Sequence, residues 1–210
     1  VINMIYKSFE IKNFKGINKV NFDLTNNRIV TLVGLNESGK TTIMAAINLF
    51  YEMPYSNRLA GEKLNEYRPK GIDFTGNISI QGTLLLENDD KEKIQKYWKK
   101  DMSKRSELDI SDEFICSYSF MFHMHSYRTT DQSCTFNVQQ KNNDSSRQLN
   151  SSDRQRLTDF VRGQIPEILY YDDFIFQIPD RIYFVKTGLT IDNGVHKRNN
   201  QTWQLVINDI

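Results

Sequence analysis

The stretch that decides the fold is Gly34-Leu35-Asn36-Glu37-Ser38-Gly39-Lys40-Thr41-Thr42, which fits the pattern G-x-x-x-x-G-K-S/T at every fixed position. An apolar, β-like run at 29–33 precedes it, and a helical pattern from Thr41 to Tyr51 follows it. Such a loop surrounds phosphate groups with backbone N–H groups, and the following helix directs its positive N-terminus at them. The stretch therefore predicts an α/β fold with a phosphate-binding loop (P-loop) between a strand and a helix.

Each fixed position of the loop has an expected role. Gly34 and Gly39 let the backbone curl close to the phosphates. Lys40 is the expected partner of the β- and γ-phosphates and the candidate catalytic residue, while Thr41 is the candidate Mg²⁺ ligand. The alternative is a glycine turn that joins a strand to a helix and binds nothing. The candidate residues for binding ATP and Mg²⁺ are Gly34, Asn36, Glu37, Ser38, Gly39, Lys40, Thr41 and Thr42.

Length, charge and cysteine content set broad limits. A chain of 210 residues is long enough for one domain, or for one domain with a subdomain. The formal net charge of +1 neither favours nor excludes nucleic acid, because a basic patch can lie within a balanced total. Cys116 and Cys134 show no metal or redox spacing, which favours a reduced, cytoplasmic protein. No apolar run reaches the length of a membrane span, so no membrane partner is expected.

Alternating apolar residues predict strands on both sides of the loop. The runs 4–14 and 17–24 alternate and are joined by Lys15-Gly16, so they predict a strand pair. The runs 74–87 and 113–125 also alternate, and they predict further strands. The sequence therefore predicts a β-rich segment after the loop as well as before it.

Three other segments are assigned from composition. Residues 54–71 contain prolines and glycines and predict an irregular connection. Residues 139–153 are rich in Asn, Gln and Ser and predict a loop. The run from Ser152 to Gly163 predicts a helix that Ser152-Asp153 caps.

The run from Lys91 to Arg105 predicts a helix with seven basic and two acidic residues. One interpretation is a solvated face on which lysine stems cover apolar surface. The other is a surface that contacts a phosphate backbone. The sequence favours the first and leaves the second open.

Two further patterns suggest metal ligands, and we weigh both against simpler interpretations. His123 and His125 lie two apart on a predicted strand, so both are expected on one side, but no acidic or thiol partner is near in sequence. Asp172 and Asp173 follow an apolar run, as in a Walker B strand, whose acidic end holds Mg²⁺. The apolar run continues beyond them, however, so we interpret 166–185 as a buried structural element.

Two segments of the first fifty residues carry a family resemblance. One is Phe9-Glu10-Ile11-Lys12-Asn13-Phe14-Lys15-Gly16-Ile17, and the other is the loop from Val33 to Thr42, in which Asn36 is the discriminating position. Together they resemble the opening strand and the phosphate loop of SMC/RecF-type ABC ATPases. A later run, 165–174, resembles a segment of bacterial ATPases related to the OLD (overcoming lysogenisation defect) family.

The resemblance implies a fold and a domain organisation. It implies an ABC-type head, with a mixed sheet around the P-loop helix and an antiparallel β subdomain. Residues 1–210 would form the N-terminal part of one such domain. Within it, 1–53 would hold the strand pair, the P-loop and its helix, 72–140 a β/helical subdomain, and 150–210 the remaining core segment.

The resemblance also implies partners and one more site residue. Members work as dimers that sandwich ATP and couple it to DNA transactions, and OLD-like members usually add a Toprim nuclease. A homodimer or higher oligomer through the heads, DNA, and a partner protein are therefore expected partners. By analogy, Lys12, Asn13 and Lys15 lie near the nucleotide, and Lys15 contacts its phosphates.

The departures from the family pattern leave two functions open. The chain carries no convincing signature motif, Walker B glutamate or switch histidine, and these parts come late in the related families. We therefore expect an incomplete head from a longer protein that binds ATP, hydrolyses it when complete, and acts in DNA processing or anti-phage defence. The alternative is an ATP-sensing dimerisation or interaction module with little turnover. A GTPase is disfavoured because no N-K-x-D motif occurs.

Overall fold

The computed structural model describes six stretches of the chain, 4–25, 30–35, 38–53, 61–69, 73–142 and 145–169. The strands are β1 (Ile5–Phe14), β2 (Ile17–Asp23), β3 (Gly76–Leu85), β4 (Glu107–His123), β5 (Ser126–Asn142) and β6 (Ser145–Gln148). The helices are α1 (Lys40–Glu52), α2 (Gly61–Asn65), α3 (Asn88–Lys100) and α4 (Ser151–Arg162). These elements all lie in the compact unit Val1–Ile168.

The strands form one six-stranded sheet in the order β2-β1-β3-β4-β5-β6, and every described pairing is antiparallel. The α/β class with an antiparallel β portion is confirmed. The strand pair at 5–23 and the segment from β3 to β5 share this sheet, because β1 pairs directly with β3. None of the described helices combines the length and the apolar character that a membrane span requires.

Alternation explains why these segments are strands. On β1, Phe9 and Ile11 lie at alternate positions and are buried, and Phe14 is also buried, directly after Asn13, whose φ is 55°. On β4, five residues at alternate positions turn to the same core: Phe114, Cys116, Tyr118, Phe120 and Phe122. An antiparallel sheet tolerates water on its other face, so the intervening residues are largely polar.

The helices cover the apolar face of the sheet. Helix α1 contacts β1 and β3, α3 contacts β4, and α4 contacts β5 and α3. Ile94 and Trp98 of α3 are completely buried, and Tyr97 stacks on Phe160 of α4 with ring centroids 3.9 Å apart. A single apolar cluster therefore joins the sheet to its helices.

The end of α1 is fixed by one aromatic ring. Phe50 is almost completely buried, and its ring lies over Gly82 of β3 so closely that a Cβ atom there would be 2.7 Å from Cζ of Phe50. The ring also makes edge-to-face contacts with Phe9 and Tyr118, each at a centroid distance of 5.3 Å. Only glycine at position 82 leaves room for this contact, which holds the P-loop helix against the sheet.

Several local predictions differ from the structure. The segment 54–71, expected to be an irregular connection, contains helix α2. Residues 30–33 form no strand, because no described strand pairs with them, and Val33 is 89% exposed. The segment 139–153 is not a loop: it contains the end of β5, all of β6 and the start of α4. Its polar residues fit a strand at the sheet edge, where both faces can meet water. The cap of α4 is Asn150 rather than Ser152-Asp153.

The two cysteines also differ from expectation. We expected reduced thiols without a partner, but Cys116 and Cys134 form a disulfide. They are directly opposite in the β4–β5 register, with their Cα atoms 4.2 Å apart. Their separation of 18 residues in sequence gives no sign of this, because only the register of the hairpin brings them together.

Candidate nucleotide-binding site

The P-loop turns into α1 at a left-handed glycine. Gly39 has φ 93° and stands immediately before Lys40, the first residue of the helix. A residue with a Cβ atom adopts this conformation only at a cost of roughly 1–2 kcal/mol. The start of the loop folds back closely, since a Cβ atom on Gly34 would lie 2.7 Å from Oγ of Ser38. Gly39 therefore stands where the backbone favours glycine, whereas a Cβ atom on Gly34 would crowd the side chain of Ser38.

Lys40 lies within the curve of the loop. Its Nζ donates to the carbonyl oxygens of Gly34 at 2.8 Å and Leu35 at 2.7 Å, and to Oγ of Ser38 at 3.3 Å. A lysine ammonium has three donors, and these oxygens engage all of them. The contacts hold the positive charge beside the loop backbone, and a phosphate oxygen that binds Lys40 would replace one of these acceptors.

The N-terminus of α1 differs from those of α3 and α4. Helix α3 has a capping box formed by Glu87 and Asp90, and Oδ1 of Asn150 accepts from the backbone N–H of Asp153 in α4. Helix α1 has no side-chain cap and no acidic residue in its first turn. Within the described part of the chain, the N–H groups of residues 40–42 make no hydrogen bond. An uncapped helix start presents free donors and a positive dipole end, which suits an anion.

The other candidate ligands of the loop are placed in part. Ser38 and Thr41 are exposed, and Thr42 is half-buried at the start of α1. Asn36 and Glu37 lie outside the described residues. The helical spacing of Ile43, Ala46, Ile47 and Phe50 predicts that these four residues form the inner face of α1. Ala46 and Phe50 are completely buried and Ile43 and Ile47 are half-buried, which agrees with this prediction.

Lys15 is held by a residue that the sequence did not suggest. Its backbone N–H donates to the carbonyl of Tyr67 at 2.7 Å, and its Nζ lies 5.3 Å from the centre of the Tyr67 ring. The same ring stacks on Phe14 at 5.0 Å. No described hydrogen bond joins Lys15 to the P-loop. Tyr67 lies in a segment expected to be irregular, so no sequence signal pointed to this contact.

The neighbours of Lys15 have partners of their own. Nζ of Lys12 pairs with Glu10, which also pairs with Lys19, and these hydrogen bonds lower the pKa of the Glu10 carboxyl. Nδ2 of Asn13 donates to the carbonyl of Asn77 at 2.9 Å. Lys12 therefore belongs to an ion-pair network that joins β1 to β2, and Asn13 joins β1 to β3.

Much of the positive charge on and just after α3 is paired with acids. Lys91 pairs with Asp112, and this hydrogen bond lowers the pKa of the Asp112 carboxyl. Lys99 lies 3.3 Å from Glu107 and Lys104 lies 2.7 Å from Asp153. Three exposed cations have no acid partner among the described residues: Lys96, Lys100 and Arg105. The pairing favours a structural, solvated face over a phosphate-binding surface.

The two histidines do not share a strand face. His123 ends β4, whereas His125 lies in the two-residue turn before β5 with φ 66°. Nε2 of His125 pairs with Asp73, and its Nδ1 lies 2.9 Å from Nη1 of Arg68. No group of three metal-ligating side chains occurs in the stretches described. The Walker B-like pair Asp172 and Asp173 lies outside those stretches.

Comparison with solved structures gives distant similarity. Twenty chains match, and one of them carries the description "Structural biochemistry of ATP-driven dimerization and DNA stimulated activation of SMC ATPases". It is 15% identical with a TM-score of 0.44, and the match covers 83% of this chain and 92% of that chain. A TM-score this low carries no argument about fold or function. No curated protein matches the chain.

The family of the chain is shown by its match to a protein-family model. The model described as "AAA ATPase domain" matches residues 4–187, most of the 210-residue chain. The matched range includes the complete P-loop motif and α1, whose geometry is described above. The chain therefore belongs to the AAA ATPase domain family.

Proposed function

We propose that the chain binds ATP with Mg²⁺ at the loop 34–42. The observation that carries this proposal is the start of α1: a left-handed Gly39, an uncapped helix and a lysine ammonium beside the loop backbone. Three sources of positive potential meet there, namely the uncapped N–H groups at the start of α1, the helix dipole and the charge of Lys40. A polyphosphate is the ligand whose charge and size suit them.

The roles of individual residues follow from this placement. The loop amides hold the phosphates, Lys40 binds the β- and γ-phosphate oxygens, and Thr42 donates to the α-phosphate. The exposed hydroxyl of Thr41 is the proposed protein ligand of Mg²⁺. When bound, Mg²⁺ offsets the negative charge of the β- and γ-phosphate oxygens. Asn36 and Glu37 remain sequence-based candidates.

Replacing Thr41 by alanine is expected to remove the gain in ATP affinity that Mg²⁺ provides. The expected weakening is about tenfold when Mg²⁺ is present and close to nothing when EDTA is present, because the hydroxyl acts through the metal. Isothermal titration of both proteins with ATP, with and without Mg²⁺, measures this difference. Equal weakening in both conditions would contradict the assignment of Thr41 to the metal.

We further propose that the ATPase is of the OLD/RecF-like kind. The support is the opening strand, with Lys12-Asn13-Phe14-Lys15, together with the loop that carries Asn36. This proposal includes a homodimer or oligomer formed through the heads, coupling to DNA, and a possible role with a nuclease in anti-phage defence. It also includes the three-part division at 1–53, 72–140 and 150–210, and a phosphate contact from Lys15, whose Nζ rests on Tyr67.

If the protein binds DNA, α3 is not expected to contribute. Reversing the charges of its exposed lysines, Lys96→Glu with Lys100→Glu, is expected to leave the salt dependence of DNA binding unchanged. Each lost phosphate contact would reduce the slope of log K against log salt by about 0.9. Fluorescence anisotropy with duplex DNA across a salt series measures the slope, and a decrease of one to two would contradict this expectation.

The second candidate function is an ATP sensor with little turnover, in which nucleotide governs association. It is favoured by the absence of a convincing Walker B motif in the sequence. Steady-state ATP hydrolysis distinguishes the two functions. A Lys40-dependent rate above background supports an ATPase, whereas intact binding with a background rate supports the sensor.

A further inference from the structure

A row of directly paired residues crosses the sheet from the cysteine pair to Gly82, against which the P-loop helix packs. Phe9 of β1 pairs with Gly82 of β3, Gly82 pairs with Cys116 of β4, and Cys116 pairs with Cys134 of β5. Directly opposite residues share a face of the sheet, so all four positions face the same core. The disulfide is therefore one strand away from Gly82.

Gly82 is where α1 is anchored. The Phe50 ring occupies the space above Gly82, and it also contacts Tyr118, the next core-facing residue after Cys116 on β4. A shift of β4 at positions 116–118 would consequently displace the Phe50 ring. Because α1 begins with Lys40 of the P-loop, such a shift would move the helix that positions the loop.

The two cysteine residues differ in burial. Cys116 is completely buried, whereas Cys134 is half-buried on β5. Beside them, Nε2 of Gln132 donates to the Tyr118 hydroxyl at 3.2 Å. A small thiol can therefore reach the pair from the Cys134 side, and disulfide exchange depends on this access.

We infer that Cys116 and Cys134 form a reversible disulfide whose redox state sets the nucleotide affinity of the P-loop through Phe50. This inference rests on the proposed function. A dithiol reductant attacks the Cys134 sulfur through one thiolate, the S–S bond breaks, and the second thiolate releases a cyclic disulfide of the reductant. The protein gains two electrons and two protons and carries thiols at both positions.

The direction of the effect follows from packing. Once the bond is broken, the two sulfur atoms move apart to van der Waals contact. Cys116 is buried, and its neighbour on the other side is Gly82, whose space is filled by the Phe50 ring. Close-packed interiors transmit such displacements. Reduction therefore weakens the hold on α1 and lowers nucleotide affinity.

The test is the affinity of the full chain for ATP with Mg²⁺ before and after dithiothreitol, with free thiols titrated in each sample. The reduced wild type is expected to bind ATP roughly 5–10-fold more weakly, at the lower end of the usual range of coupling between two sites. Cys134→Ala, which places no polar group in the core, is expected to bind as weakly as the reduced protein and to ignore dithiothreitol.

Two results would overturn the inference and leave ATP binding standing. One is equal affinity in both states although two thiols appear, and the other is no thiol release by dithiothreitol. A protein that binds no ATP in either state, or whose affinity is the same after Lys40→Ala, would instead overturn the proposed function and this inference with it.

Discussion

Replacing Lys40 by alanine is expected to weaken ATP binding by about 30-fold or more. The ammonium supplies the one full positive charge that the described loop places beside its backbone, within 2.8 Å of the Gly34 carbonyl and 2.7 Å of the Leu35 carbonyl. Truncating one partner of a close charge pair costs about 2–5 kcal/mol, and each 1.4 kcal/mol is a factor of ten. Equilibrium titration with ATP and Mg²⁺ measures the loss.

The matched control is Lys96→Ala. Lys96 is an exposed lysine on α3, so its removal changes the net charge of the protein equally without altering the loop. Its affinity for ATP is expected to remain within about twofold of the wild type, since an exposed charge on a helix outside the loop is largely screened by salt. An equal loss in the two variants would show that Lys40 acts only through net charge, contrary to the proposed role.

Replacing Phe50 by alanine is expected to lower the free energy of unfolding by about 3–5 kcal/mol, the usual cost of truncating a buried phenylalanine. Its side chain is almost completely buried against Gly82, Phe9 and Tyr118. The small residue at Gly82 makes the gap hard to close, because no side chain there can move in. Urea unfolding followed by circular dichroism measures the change.

Met44→Ala provides the comparison on the same helix. Met44 is 41% exposed, so less of its apolar surface leaves water on folding, and the expected loss is about 1 kcal/mol or less. If both variants lost the same stability, Phe50 would not be the anchor of α1. Phe50→Ala could be unfolded already without urea while Met44→Ala remains folded. That result would agree with a loss of unfolding free energy at the upper end of the expected range.

The parts of the fold that follow local rules were predictable. Strand β1 and helix α1 were visible because their buried residues recur at the spacing of a strand and of a helix. The turn at Lys15-Gly16 and the inner face of α1 were also predicted and confirmed. In each case the information lies within about ten residues of sequence.

The parts that depend on pairing were not predictable. No strand was predicted for 126–138, because most of its residues are polar, yet β5 runs there as the partner of β4. The Cys116–Cys134 disulfide and the contact of Lys15 with Tyr67 likewise arise from register and tertiary packing. For the site, the motif gave the ligands, whereas the missing cap of α1 became visible only beside the capped α3 and α4.

Equilibrium titration of the full chain with ATP tests whether the loop 34–42 is a Mg²⁺-dependent ATP site. If the loop is such a site, each chain is expected to bind one ATP in a saturable manner, and to bind it more tightly with Mg²⁺ than with EDTA. It also predicts much weaker binding of AMP, which lacks the β- and γ-phosphates that Lys40 holds. No saturable binding at millimolar ATP would contradict the assignment of an ATP site to this loop. Equal affinity for ATP and AMP without any effect of Mg²⁺ would contradict it as well.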